Sequence, residues 1–186
     1  MEASRHTFLF ADLVGFTALT EAEGDEHALQ VAVTLQARVR TLLPTYRASE
    51  VKALGDALML FGEDPANGIR LGLRIVSEVE ADATLPPIRV GIHWGPAVER
   101  EGDWYGRTVN VAARLCSAAG GGQVLVSDRT LEAAGPIPEA EFGKRRLHWL
   151  RNVTEPVAAR LVSERVTIGS SFVAAASRPF TIGFAQ

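Results

Sequence analysis

Two lone carboxylates, an asparagine–arginine pair and a lysine–acid pair hold most of the chemistry this sequence offers. Asp12 ends an apolar run that begins at Thr7, and Asp56 stands in Leu54-Gly55-Asp56 between two strand-like segments. Carboxylates at strand ends can share hard divalent cations, because Mg2+ takes one or two carboxylates together with substrate phosphates. Two such ions side by side stabilise both the attacking and the leaving oxygens of an in-line displacement. Taken singly, Asp12 could instead cap the next helix and Asp56 could be a turn residue.

Asn110 and Arg114 are four residues apart in Val109-Asn110-Val111-Ala112-Ala113-Arg114-Leu115, so a helix puts them one turn apart on one face. An amide and a guanidinium projecting together suit a ribose and a phosphoryl group that is developing charge. An exposed polar stripe is the plainer alternative. Lys52 lies on the segment before Gly55-Asp56, and Asp103 lies in a polar stretch before Gly106. Together an ammonium and a carboxylate could read adenine, the first donating to ring nitrogen N1 and the second accepting from the 6-amino group. Guanine presents the opposite pattern and leaves both groups poorly paired, a mismatch that discriminates strongly. Apart, each could be an ordinary surface charge.

These residues need elements to place them. Residues 7–13 read as a buried strand, and Gly15 and Thr17 open a short helical stretch. From Asp25 to Leu43 the apolar residues Leu29, Val33, Leu35, Val39 and Leu42 recur at near-helical spacing, and Pro44 stops that helix. Strand-like runs over 47–53 and 57–61 flank the hairpin tip that carries Asp56. Asp64-Pro65 starts a second long helix to about Glu80, with proline in its first turn. Residues 88–94 form a further strand, 97–100 follow a turn at Gly95-Pro96, and Glu101-Gly102-Asp103 reads as a polar loop. A small-residue helix over 107–119 ends at Gly120-Gly121-Gly122. A short strand over 124–126 then leads to a short helix capped by Ser127-Asp128. Residues 142–162 alternate enough for two more strands. The order β-α-β-β-α-β is the ferredoxin-like arrangement: an α+β fold whose antiparallel sheet carries helices on one face, here with added C-terminal strands. Residues 5–163 read as one domain, and 164–186 as a tail or an extra strand with no assignment.

The 186 residues suffice for a single core, and 47% hydrophobic with 22% charged content is ordinary for a globular protein. A net charge of −3 argues against a dedicated nucleic-acid binder, which usually carries a basic face. The single cysteine, Cys116, excludes an intrachain disulfide and reads as a buried inert thiol. No apolar run approaches the ~20 residues that span a membrane, and the first residues lack a signal-peptide pattern. A soluble, cytoplasmic protein without membrane insertion is the expectation.

Four segments, in order, carry a family resemblance. Phe10-Ala11-Asp12-Leu13-Val14-Gly15-Phe16-Thr17 resembles the opening metal motif of class III adenylate and guanylate cyclases. Val51-Lys52-Ala53-Leu54-Gly55-Asp56-Ala57 looks like their Lys-x-x-Gly-Asp segment, and Val90-Gly91-Ile92-His93-Trp94-Gly95-Pro96 resembles the strand after the second long helix. Residues 103–114, from Asp103-Trp104-Tyr105 to Ala113-Arg114, are similar to the family's most distinctive stretch. The match extends over about residues 7–161.

The resemblance implies an adenylate cyclase, a phosphorus–oxygen lyase that makes 3′,5′-cyclic AMP and pyrophosphate from ATP with two divalent ions, Mg2+ or Mn2+. Asp12 and Asp56 would bind the metals, joined by the backbone carbonyl of Leu13. Lys52 and Asp103 would specify adenine, Asn110 would orient the ribose, and Arg114 would stabilise the pentavalent transition state. Guanylate cyclases typically carry other residues at the two base-reading positions. The family also has a basic residue near its C-terminal strands that holds the terminal phosphates. Here Leu150-Arg151-Asn152-Val153-Thr154-Glu155-Pro156 lacks the usual Lys-Gly pair, which leaves Arg151 as the candidate and Lys144 as the fallback. Tyr46, His93 and Trp104 could touch the site but read better as packing groups. Because the family draws its metal aspartates from one subunit and the other groups from its partner, the resemblance implies a head-to-tail homodimer with two symmetric sites. A guanylate or relaxed-specificity cyclase, and a catalytically silent nucleotide-binding module, stay open as alternatives.

Overall fold

β1 (Arg5–Leu13) buries side chains on both of its faces from His6 to Leu9, which suits only a strand inside a sheet with cover on each side. It is central to the computed structural model, which describes residues 4–165. Two helices follow, α1 (Phe16–Glu23) and α2 (Asp25–Leu42). The hairpin of β2 (Ala48–Leu54) and β3 (Ala57–Gly62) comes next, then α3 (Pro65–Glu80) and β4 (Ile88–Pro96). β3 and β4 flank β1, both antiparallel, and β2 lies outside β3. The strand order β2-β3-β1-β4 with α2 and α3 between them is the expected ferredoxin-like core. The tail residues 166–186 lie outside the described residues.

The long helices share one face. Val31, Leu35 and Val39 of α2 and Ile69, Leu71 and Ile75 of α3 close over Leu9, Ala11, Leu58, Leu60, Val90 and Ile92 of the strands. Asp64 caps α3 by accepting from Ala66 N at 2.7 Å and Asn67 N at 3.3 Å, with Pro65 at the first position. The expected apolar stripe of α2 needs correction. Leu29 and Val33 are 64% and 52% exposed, and the buried stripe runs through Ala28, Val31, Ala32, Leu35 and Val39. Two of those five are alanines, which a pattern built on large apolar side chains does not register.

Beyond the core the sheet departs from the expected form. Among the described residues the short hairpin of β5 (Val98–Arg100) and β6 (Asp103–Tyr105) pairs only with itself, and it contains Asp103, which the sequence places in a loop. The helix α4 (Arg107–Ala118) then packs on the face opposite α2 and α3, so helices cover both faces rather than one. β7 (Val124–Ser127) runs parallel to β4, which makes the sheet mixed rather than wholly antiparallel. After α5 (Asp128–Ala134) come three strands rather than two: β8 (Ala140–Phe142), β9 (Arg146–His148) and β10 (Val157–Glu164). β10 extends the sheet beyond β7, and both β8 and β9 pair with it. Gly91 admits the close approach of α4. A Cβ there would lie 2.0 Å from the Cys116 amide nitrogen and 2.6 Å from the Ala112 carbonyl oxygen.

Candidate functional site

The register of β1 brings the two aspartates together. Asp12 lies opposite Ala57 on β3, so Asp56, in the turn just before β3, is its neighbour across the sheet end. Gly55 takes φ +64° in that turn, a conformation that favours glycine. Burial pushes the Asp56 carboxyl above its ordinary value, and the charge of Asp12 adds to the push while Arg89 opposes it. Leu13 buries its side chain, which leaves its backbone as the only part able to serve a ligand.

On its other side Asp12 lies opposite Arg89 of β4. The Arg89 guanidinium donates to Asp12 Oδ2 twice, from Nη2 at 2.6 Å and Nε at 2.9 Å, and its Nη1 donates to the Ser117 carbonyl at 3.2 Å. Sequence reasoning missed this residue. The available signal is a cation inside the otherwise apolar run Ile88-Arg89-Val90-Gly91-Ile92; its partner is visible only once β1 and β4 are paired.

Lys52 and Asp103, 51 residues apart, are in contact. Lys52 Nζ donates to Asp103 Oδ2 at 2.5 Å, while Asp103 Oδ1 accepts from the Trp104 amide at 2.8 Å. The lysine, chiefly, holds the Asp103 carboxyl below the usual carboxylate range. Lys52 pairs with Met59 across β2 and β3, and Met59 packs with Phe8 against Val109 and Ala112 of α4. Asp12, Arg89, Lys52, Asp103 and α4 therefore share one side of the sheet, opposite the long helices.

Asn110 and Arg114 are exposed on α4, whose inward residues Val109, Val111, Ala112, Leu115 and Cys116 are buried. Among the described residues no hydrogen bond or ion pair joins either of them to Asp12 or Asp56, which face Arg89 and the β2–β3 turn instead. A single chain thus presents two polar groups of residues, one at the end of β1 and one on the outer face of α4. Arg151 is exposed in a turn between Leu150 and Val153, both of which pack against Val111 and Leu115 of α4, so the turn sits beside the helix that carries Asn110 and Arg114. Lys144 lines a separate groove with Gln123, Arg146 and His148.

The packing groups behave as such, with one exception. His93 is buried with Nδ1 2.7 Å from Ser127 Oγ, and burial lowers its pKa to about 4. Tyr46 packs at the edge of the main core. Cys116 is buried, its thiol pushed up to about 12 by desolvation. Trp104 is the exception, because its amide orients the Asp103 carboxylate.

Residues 2–148 match the family described as adenylate and guanylate cyclase catalytic domain. The chain is 41% identical over 157 residues to a pH-sensitive adenylate cyclase of Mycobacterium tuberculosis, across 80% of this chain and 39% of that protein. It is 36% identical over 135 residues to an adenylate cyclase of Streptomyces griseus, across 71% of this chain and 34% of that one. It therefore spans well under half the length of these curated relatives. Among solved structures, an adenylyl cyclase of P. aeruginosa superposes with a TM-score of 0.75 at 22% identity, over 87% of this chain and 95% of that one. The guanylate cyclase domain from Catenaria anguillulae in complex with GTP superposes with a TM-score of 0.79 at 19% identity, over 89% and 100%. At these identities the superpositions speak for the fold alone. Among the described residues no helix is long and apolar enough to cross a membrane.

Proposed function

The chain belongs to the adenylate and guanylate cyclase catalytic-domain family, and from that membership we propose that it is an adenylate cyclase, converting ATP to 3′,5′-cyclic AMP and pyrophosphate. Residues 5–163 form the catalytic domain in this reading. The observation that carries the choice of ATP is the contact between Lys52 and Asp103, two residues from distant parts of the chain joined at 2.5 Å. The lysine donates to adenine N1 and the aspartate accepts from the 6-amino group, whereas guanine meets both with the wrong polarity. The adenylate cyclases among the chain's relatives support the same choice.

The aspartates fit divalent cations. Asp56 is driven toward protonation by burial and by Asp12, a strain that positive charge at the two carboxylates relieves. Among the described residues no cluster of three or more His, Cys, Asp or Glu is present. Asp12, Asp56 and the Leu13 carbonyl would hold the ions, a donor set that suits Mg2+, which takes one or two carboxylates together with substrate phosphates. Two divalent cations, Mg2+ or Mn2+, would supply positive charge against the attacking 3′-oxygen and the triphosphate.

The chain's own residues do the rest. Arg89 balances the charge of Asp12. Asn110 fixes the ribose so that its 3′-oxygen lines up with the α-phosphorus. As that oxygen bonds to phosphorus and the bond to the pyrophosphate oxygen breaks, Arg114 meets the charge that grows on the equatorial oxygens. Arg151, in the turn beside α4, holds the terminal phosphates. Asn110 and Arg114 are exposed on α4 and, among the described residues, make no hydrogen bond or ion pair with the aspartates of their own chain, which supports a shared site: Asp12, Asp56 and Arg89 from one protomer, Lys52, Asp103, Asn110 and Arg114 from its partner in a head-to-tail homodimer.

The direct test is to incubate the purified protein with ATP or GTP and Mg2+ or Mn2+, and to identify products by mass spectrometry. The expected product is cyclic AMP from ATP, abolished by EDTA, with GTP the poorer substrate. Cyclic GTP as the main product would reassign Lys52 and Asp103. Binding of ATP with no cyclic product at high protein concentration would make the chain a silent nucleotide-binding module.

A further inference from the structure

Asp103 stands on a hairpin that, among the described residues, no main-chain hydrogen bond ties to the main sheet beyond the one at its entrance, from Ala97 N to the Ser4 carbonyl. Among the described residues β5 and β6 pair only with each other, and their turn uses positive φ at Glu101 and Gly102. Side chains must therefore set where Asp103 sits. One contact is the ion pair to Lys52, itself a base-reading group. The other is Trp104, the next residue. Its ring lies 4.5 Å from His6, 5.2 Å from Phe61 and 5.5 Å from Phe8, centroid to centroid, in tilted and edge-on arrangements. Such aromatic pairs add stabilisation beyond the area they bury.

The seat rests on the main sheet. Phe8 belongs to β1 and Phe61 to β3, which are hydrogen-bonded partners in register. His6 is buried, and burial lowers its pKa, which favours a neutral ring that packs as an aromatic group. Its Nε2 lies 2.8 Å from Ser4 Oγ, and the Ser4 carbonyl in turn accepts from Ala97 N at the entrance to the hairpin. At the other end the Trp104 amide donates to Asp103 Oδ1, so the residue that plugs the seat also aims the carboxylate. Rigid support of this kind separates a specific polar contact from a loose one.

We propose that Trp104, seated on His6, Phe8 and Phe61, is a positioning residue that sets Asp103 against Lys52 and so determines the preference for adenine over guanine. The ring itself need not touch the nucleotide. The inference rests on the reading of Lys52 and Asp103 as the base-reading pair. Truncating the ring frees the hairpin, lets the carboxylate wander from the 6-amino position and erodes the difference between the two bases, without touching the residues placed at the metals or the transition state.

The test measures affinities of the full chain for 3′-deoxy-ATP and 3′-deoxy-GTP, which cannot cyclise, so that binding is read apart from chemistry. The wild type is expected to favour the adenine nucleotide. Trp104→Ala is expected to cut that preference about tenfold, and Trp104→Phe, which keeps an aromatic plug, to stay within about twofold of wild type. If Trp104→Ala does not fold, Trp104→Leu replaces it with the same expectation. Asp103→Asn serves as the reference and should cut the preference at least as far. A Trp104→Ala protein with the wild-type ratio, alongside an Asp103→Asn protein whose ratio has fallen, overturns the positioning role and leaves the base-reading pair standing. An unchanged ratio in Asp103→Asn, or no base preference in the wild type, overturns the base-reading pair and the seat with it.

Discussion

If Asp12 holds metal as proposed, Asp12→Asn should lower kcat for cyclic AMP formation by about a thousandfold or more, since losing a metal carboxylate withdraws several kcal/mol of transition-state stabilisation. Asparagine preserves the shape of the side chain and an oxygen for Arg89, which donates to Asp12 twice through a single oxygen. The Asp12–Arg89 pair is partly exposed, so its loss costs about 1 kcal/mol of stability at most. Loss of activity with a nearly unchanged melting temperature is the expected combination. Measured together, turnover and thermal unfolding separate a lost metal site from a lost fold. Retention of more than about a tenth of wild-type kcat would remove Asp12 from the metal site.

Arg114→Ala should lower kcat by about a hundred- to a thousandfold, the range found when one preorganised donor to developing charge is removed. KM for ATP should stay within about threefold, because in the proposed role the arginine meets charge that appears only in the transition state. The melting temperature should not move: Arg114 is exposed on α4, and no described ion pair involves it. Steady-state kinetics on the variant give both constants. A rise in KM at unchanged kcat would instead make Arg114 a ground-state phosphate contact and shift the transition-state role to another cation.

Much of this was legible in the chain because the signals were local. Asp64-Pro65, Pro44 and Gly120-Gly121-Gly122 punctuate helices through their own backbone preferences, and the helices begin and end near them. The i, i+4 relation of Asn110 and Arg114 requires only a helix. What was missed depends on pairing across distance. Arg89 gains meaning only when β4 lies beside β1, and the parallel β4–β7 pair and the placement of α4 on the second face are likewise tertiary outcomes. Trp104 reads as a packing residue from sequence and is one; its proposed hold on Asp103 becomes visible only with a hairpin that pairs with no other strand among the described residues. The stripe of α2 was misplaced because Ala28 and Ala32 line the buried side while Leu29 and Val33 face outward. Small residues decide that face, and hydrophobic size is a poor guide to them.

If one working site needs two chains, two variants that are each inactive alone should regain activity when mixed. In the proposed site Asp12→Asn spoils the metal half and Arg114→Ala the transition-state half. In a homodimer with two symmetric sites, a mixed dimer gathers both defects into one site and leaves the other whole. With random subunit exchange in an equal mixture, half of the dimers are mixed, so activity should return to about a quarter of the wild-type level at the same total protein concentration. Activity that stays at the sum of the two variants, with subunit exchange demonstrated by differently tagged chains, would contradict the shared site and return all of these residues to a single protomer.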